Sequence, residues 1–232
     1  MYRFDIHGAQ IQGGKPRQED RFAIRQFGNA WLTVLADGMG GYSCGAEAAQ
    51  IAIDVTLKYA QVLLDKDVQP NPASVLEFCA SWSHQQVCDY GSRTNGCLGM
   101  GSTYIAACVA ADSDRLHYAY LGDSLLLRLT PQRIEDICDP QGDGPTLVAG
   151  LGVSVDALKC PPNGIPIRGG DRILLASDGL DTLLYPIIAG ILESAPDAKA
   201  AVERLLAAVE RARLPHQDNT TIIALFVGEE TP

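Results

Sequence analysis

Thr103-Tyr-Ile-Ala-Ala-Cys-Val-Ala-Ala111, Asp112-Ser-Asp-Arg115 and Leu116-His-Tyr-Ala-Tyr-Leu121 read as a strand, a hairpin loop and a second strand. Both flanks are short, apolar or alternating, and bounded by turn residues. So short a connection joins antiparallel neighbours, because parallel strands need a crossover of about a dozen residues. Working outward, Arg21–Phe27, Ala30–Ala36, Leu125–Leu129, Arg172–Ala176 and Thr221–Val227 carry the same strand pattern. Helical spacing appears in Ala46, Ala49, Ile53, Leu57, Ala60 and Leu64, with Ser43 as the N-cap. A second helix is expected over about Pro72–Tyr90, with Val75, Phe78, Cys79, Trp82 and Val87 on one face. Another pair is expected at Leu180–Glu193 and Asp197–Ala212. Hairpin-linked strands with grouped helices point to an α+β layered sandwich, not a doubly wound parallel sheet. Residues 1–232 read as one domain, and the aperiodic, Gly- and Pro-rich segment 138–166 reads as a surface flap.

The chain has 232 residues, 47% of them apolar and 20% charged, which suits a substantial core and excludes disorder. Its 18 basic and 28 acidic residues leave a formal charge of −10. That balance argues against a nucleic-acid partner, which calls for a basic face. Seven cysteines stand at 44, 79, 88, 97, 108, 138 and 160, none with the spacing of a zinc or redox motif. Cys79, Cys88 and Cys108 read as small buried hydrophobes. The odd count and the chain length favour a reducing compartment. Cys44 sits where it is oxidisable, yet reads most simply as an inert residue in the first turn of a helix. The stretch Met1–His7 is not signal-like, and no run of about 18 apolar residues occurs. The expectation is a soluble, cytoplasmic protein without a membrane partner.

Five aspartates stand at the edges of the predicted strands: Asp20, Asp37, Asp123, Asp178 and Asp218. A carboxylate just past a buried strand faces the rim of a sheet, and several on one rim make an oxygen-rich site for hard divalent cations. In Asp37-Gly-Met-Gly-Gly41, three glycines among four residues allow a tight turn and expose the Gly38 carbonyl as a further oxygen donor. Glu19-Asp20 is preceded by Lys15 and Arg17, a possible positive group for a phosphate. Gly122-Asp-Ser124 and Ser177-Asp-Gly179 repeat the strand end, acid and small residue. Each feature alone is a common turn or cap.

Together they resemble the metal-dependent type 2C serine/threonine protein phosphatases, especially the compact bacterial members. The resemblance spans about Gly13–Val227 and rests on Lys15-Pro-Arg-Gln-Glu-Asp20, Ala36-Asp-Gly-Met-Gly-Gly41, Gly101-Ser-Thr103, Leu121-Gly-Asp-Ser124, Leu175-Ala-Ser-Asp-Gly-Leu180 and Asp218-Asn-Thr-Thr221. It implies a four-layer α-β-β-α sandwich: two mainly antiparallel sheets flanked by pairs of antiparallel helices. It also implies that Asp37 bridges two Mn²⁺ or Mg²⁺ ions and that the Gly38 carbonyl binds one of them. Asp178 and Asp218 would hold the first ion and Glu19 the second, with Asp20 in support behind them. Asp123 would join Asp178 at a third, weaker site. A hydroxide between two cations would then hydrolyse phosphoserine or phosphothreonine in protein substrates, opposing a serine/threonine kinase.

The chain departs from the family at three places. The phosphate-gripping arginine is replaced by Lys15, a point charge that lacks the bidentate fork, with Arg17 two residues on. Leu125 stands where arginine is common, with a structural consequence expected. Met39 replaces a histidine of some eukaryotic members, leaving His216 or water as proton donor; the histidine reads more simply as structural. Two other readings are a catalytically weak phosphoprotein-binding module and a two-metal nuclease. The complete acid set disfavours the first, and the acidic charge disfavours the second.

Overall fold

The structure is a computed structural model that describes residues 1–39, 44–64, 70–138, 141–143, 146–147, 149–212 and 214–229. Antiparallel pairing grows outward from the expected hairpin. The elements are β1 (Tyr2–Ile11), β2 (Arg21–Phe27), β3 (Ala30–Ala36), β4 (Gly38–Met39), α1 (Gly45–Leu64), α2 (Pro72–Arg93), β5 (Gly101–Ser102), β6 (Tyr104–Ala110) and β7 (Arg115–Leu121). They continue as β8 (Leu125–Leu129), β9 (Ile134–Asp136), β10 (Gly142–Asp143), β11 (Thr146–Leu147), β12 (Ile165–Pro166), β13 (Arg172–Ala176), α3 (Tyr185–Ser194), α4 (Ala198–Ala212) and β14 (Thr220–Glu229). One five-stranded sheet has the order β1-β14-β13-β8-β9 and the other β12-β7-β6-β3-β2. Every pairing within them is antiparallel.

Three apolar layers hold this stack together. Leu35, Ile105, Leu116, Leu126, Ile173, Leu175 and Ile223 are buried between the sheets. The alternate residues Leu32, Val34 and Ala106 face α1 and α2, meeting Ala52, Ile53, Leu76 and Cys79. Leu127, Leu174 and Ile222 meet Ile188, Val202 and Leu205 of α3 and α4. The period-2 alternation of each strand thus splits its side chains between two cores. The expected four-layer α+β sandwich is the observed one. Leu125, 3% exposed, lies in the α3/α4 core, as a structural role requires. Among the described residues, no helix is long and apolar enough to cross a membrane.

Several expectations need correction. β1, ten residues long, was absent from the predicted strands, although Tyr2, Phe4 and Ile6 alternate with Arg3, Asp5 and His7. It is an edge strand on β14, half-buried because only one of its sides is paired. The helix expected from Leu180 is instead a 3₁₀ turn over Asp178–Thr182, and α3 begins at Tyr185 with Pro186 in its first turn. On α2, Val75, Cys79 and Val87 are buried, but Phe78 and Trp82 are 44% and 38% exposed. These two rings stack on each other and meet Tyr59 edge-on at the outer surface. Cys88 is half-buried, 3.6 Å from His84 Nε2. The flap is not all surface: Leu151 is fully buried and bridges Ser102, and Lys159 bridges Tyr120. Cys44 is not inert but disulfide-bonded to Cys97. Gly40, Gly41 and Ser43 lie outside the described residues, as does the Leu64 side chain.

Candidate active site

The register of the strands decides what meets at the rim. Arg21 pairs with Ala36 at the end of β2 and β3, so Asp20, just before β2, lies beside Asp37, just after β3. Ala176 pairs with Ile222, which brings Asp178 and Asp218 to the same end of the other sheet. Asp20 is fully buried. Its Oδ2 accepts from Ser177 Oγ at 2.8 Å and from Thr221 Oγ1 at 2.7 Å, both on the opposite sheet. Its Oδ1 is buried with no hydrogen-bond partner among the described residues, and the Asp37 carboxyl lies close enough to interact with the Asp20 carboxyl. Burial and the charges of Asp20 and Asp178 push the Asp37 carboxyl well above the carboxylate range.

The Asp37 backbone is clamped from β5 and the residue after it. Asp37 N donates to Thr103 Oγ1 at 2.9 Å, and Thr103 N donates back to Asp37 O at 2.9 Å. Gly38 is buried, and a Cβ there would collide with the backbone oxygens of Gly45 and Glu19. Only glycine lets the chain pass between them.

From the other sheet, Asp178 opens the 3₁₀ turn and has a buried Oδ1 without a partner among the described residues. Burial, then Asp218 and Asp123, raise its carboxyl to about 7. Asp218 Oδ2 receives the Lys15 ammonium at 2.6 Å, and its Oδ1 accepts from Asn219 N at 2.8 Å. The Lys15 pKa is raised, chiefly by the Asp218 hydrogen bond, with help from the charges of Asp178 and Asp37. Lys15 therefore reaches into the acidic cluster, whereas the Arg17 side chain is exposed beside Glu19. Burial raises the Glu19 carboxyl against the pull of Lys15 and Arg17. Asp123 lies at the margin, its carboxyl raised by burial, near Asp178 and Asp181. His216 is exposed on the turn ahead of Gln217.

Every carboxylate singled out in the sequence thus comes to one rim. The residues that place them were missed, although most stand in the quoted motifs. Asn219, 4% exposed, accepts from Glu19 N at 2.8 Å and donates to Gln12 O at 2.8 Å and Arg17 O at 3.0 Å. It staples the whole Lys15 loop to the start of β14. Ser177 and Thr221 hold Asp20, and Thr103 holds Asp37. Asp181 is an additional acid beside Asp123. A buried carboxamide or hydroxyl beside an acid is the signal that marks such positioning groups.

Among the described residues no three His, Cys, Asp or Glu side chains are arranged to hold a metal ion as they stand. Buried carboxylate oxygens and an ammonium drawn among them are nonetheless the donor chemistry that hard cations take. The sequence matches the profile of protein phosphatase 2C over residues 8–219. The chain belongs to the protein phosphatase 2C family. No curated protein matches this phosphatase in sequence. Among solved structures it is similar to the catalytic domain of the serine/threonine phosphatase PstP in complex with two manganese ions. The TM-score is 0.82 at 23% identity, covering 99% of this chain and 100% of that one. PstP/Ppp of Mycobacterium tuberculosis gives 0.80 at 24% identity, covering 97% and 99% of the two chains. Stp1 from Staphylococcus aureus gives 0.80 at 20% identity, covering 99% and 96%. At such identities the likeness is one of fold, and it extends over essentially the whole of each chain.

Proposed function

We propose that this phosphatase removes phosphate from phosphoserine and phosphothreonine in proteins, using two divalent cations held at the rim. Asp37 would contact both cations, with Asp178 and Asp218 holding the first and Glu19 the second, and the Gly38 carbonyl would bind one of them. Asp123 with Asp178 would form a third, weaker site, and Asp20 would support Asp37 from behind. The observation that carries this reading is the carboxylate oxygens of Asp20 and Asp178 that have no partner among the described residues, with the Lys15 ammonium standing in as a cation 2.6 Å from Asp218. Such a cluster is stable only with protons or cations among its charges. The manganese bound by the similar PstP domain supports Mn²⁺, and Mg²⁺ suits the same all-oxygen donor set.

When bound, the cations polarise the phosphoryl oxygens and acidify water at the site. The chain's own residues do the rest. Thr103 and the β4–β5 pairing fix the Asp37 backbone, and Ser177 and Thr221 orient Asp20 by donating to its Oδ2. Lys15 and Arg17 supply the positive charge that meets the substrate phosphate. Lys15 contributes a point charge, and Arg17 is free at the rim to offer a bidentate fork. Its substrates would be phosphoproteins of the cytoplasm, made by a serine/threonine kinase.

The deciding assay measures phosphate release from phosphoserine, phosphothreonine and phosphotyrosine peptides with Mn²⁺, with Mg²⁺ and with chelator. Turnover of the first two with either metal, and none with chelator, is expected. Undiminished turnover in chelator would overturn the cation assignment.

A further inference from the structure

The segment that leaves β3 carries Asp37 and Gly38 and rejoins regular structure at Gly45. Both of its ends are tied to one other stretch of chain, Thr94–Thr103. At the first end, Asp37 exchanges backbone and hydroxyl hydrogen bonds with Thr103, and Gly38–Met39 pairs with Gly101–Ser102. At the second end the tie is covalent, from Cys44 to Cys97. Two backbone hydrogen bonds, Cys97 N to Thr94 O at 3.1 Å and Met100 N to Cys97 O at 3.0 Å, fix Cys97 relative to Gly101. The disulfide therefore closes a ring, with Asp37–Cys44 on one side and Cys97–Thr103 on the other.

The closed end of this ring touches the proposed cation donors. Gly45, next to Cys44, packs directly on Gly38, and a Cβ on Gly45 would lie 3.1 Å from Glu19 Oε1. Cys44 and Cys97 are 4% and 5% exposed, but Cys97 rides on a surface turn. Leu98 beside it is 83% exposed, and Gly96 and Gly99 have positive φ with open space around them. That turn is the side from which a small reductant would approach the sulfurs. Cys79 and Cys108 are buried in the core away from any such turn, and burial pushes both thiols up to about 12, which leaves little reactive thiolate.

We propose that Cys44–Cys97 is a redox-modification site whose state sets the grip of the Asp37–Gly38 loop on divalent cations. The inference rests on the cation site proposed above. A dithiol reductant supplies a thiolate that attacks one sulfur, and the other cysteine leaves as thiolate and takes up a proton. The reductant's second thiol then resolves the mixed disulfide. One S–S bond becomes two S–H groups, and the dithiol becomes a disulfide, a transfer of two electrons and two protons. Exchange with an oxidised dithiol reverses it. With the disulfide closed, Cys44 and Gly45 are held against Gly38 and Glu19 before cations arrive; with it open, binding has to fix that end in place.

The test uses the metal-free chain, equilibrated with oxidised or reduced dithiothreitol and freed of reagent by gel filtration. Alkylation and peptide mapping should find Cys44 and Cys97 blocked in the first sample and reactive in the second, the other cysteines being unchanged. Calorimetric titration with Mn²⁺ should give a dissociation constant at least about fivefold weaker after reduction. A Cys44→Ser/Cys97→Ser variant should show the weaker value in both samples, and Cys97→Ser alone should do the same. Thiols at Cys44 and Cys97 after oxidation, or equal manganese affinity in the two samples, would overturn the inference while leaving the cation site standing. Absence of manganese binding in both would overturn the cation site and this inference together.

Discussion

Asp37 is the residue on which the acidic cluster turns. Burial, and then the charges of Asp20 and Asp178, disfavour its ionised form. Asp37→Asn removes that charge but keeps the side-chain shape and the backbone bonds to Thr103. It should abolish manganese-dependent hydrolysis of a phosphothreonine peptide while raising the melting temperature of the metal-free protein, a trade of function for stability. Near-wild-type turnover in the variant would remove Asp37 from the cation site. The phosphate contact divides between two cations in a way kinetics can resolve. Lys15 is held by Asp218 at 2.6 Å, whereas Arg17 is exposed, its carbonyl accepting from Asn219. Lys15→Ala should mainly raise KM for phosphopeptide, by about 10-fold for one charge-assisted contact. A raised KM in Arg17→Ala, with Lys15→Ala unchanged, would move the contact to Arg17.

Between elements, the decisive link is the staple from β14 to the loop ahead of β2. Asn219 spends its whole carboxamide on three backbone groups of that loop, and it is almost fully buried. Asn219→Ala should cost about 1–3 kcal/mol of stability in denaturant unfolding and weaken manganese binding in the same protein, because Glu19 and Lys15 lose their common anchor. A variant with unchanged affinity would make the staple structural only. This role was hidden in the sequence because an asparagine after an aspartate at a strand start looks like any turn residue. The strands of the hairpin and both helix pairs were legible, since their apolar spacing repeats over many residues. So were the strand-end acids, whose convergence needed only antiparallel order. Less legible were features set by partners distant in the chain. β1 alternates weakly because it lies at an edge. Phe78 and Trp82 fall on the expected helical face but find no layer above them, and they stack on each other instead. Cys44 and Cys97 are separated by 53 positions, and nothing local tells that the α2 exit returns to the start of α1.

For the molecule as a whole, the cluster lies at the seam between the two sheets. Glu19, Asp20 and Asp37 come from the β2–β3 side, and Asp178 and Asp218 come from the β13–β14 side. Ser177 and Thr221 reach across the seam to Asp20. Repulsion at the rim therefore acts on the docking of one sheet against the other, not on a single loop. The carboxyls of Asp37, Asp178, Asp20 and Glu19 are all raised in the folded state, that of Asp178 to about 7. Without metal, the fold then binds more protons than the unfolded chain between about pH 4 and pH 7, so it loses stability as pH rises through that window. Divalent cations replace those protons and reverse the loss. At roughly 100 times the dissociation constant, Mn²⁺ should add about 2.7 kcal/mol, a rise of about 5–10 °C in melting temperature for a chain of this size. Melting curves in chelator at pH 5 and pH 7.5, repeated at pH 7.5 with Mn²⁺, check both halves. The metal-free midpoint should fall between the two pH values, and manganese should restore it in the wild type but far less in Asp178→Asn. A metal-free midpoint independent of pH, or a manganese shift equally large in Asp178→Asn, would mean that the two sheets are not coupled through these carboxylates.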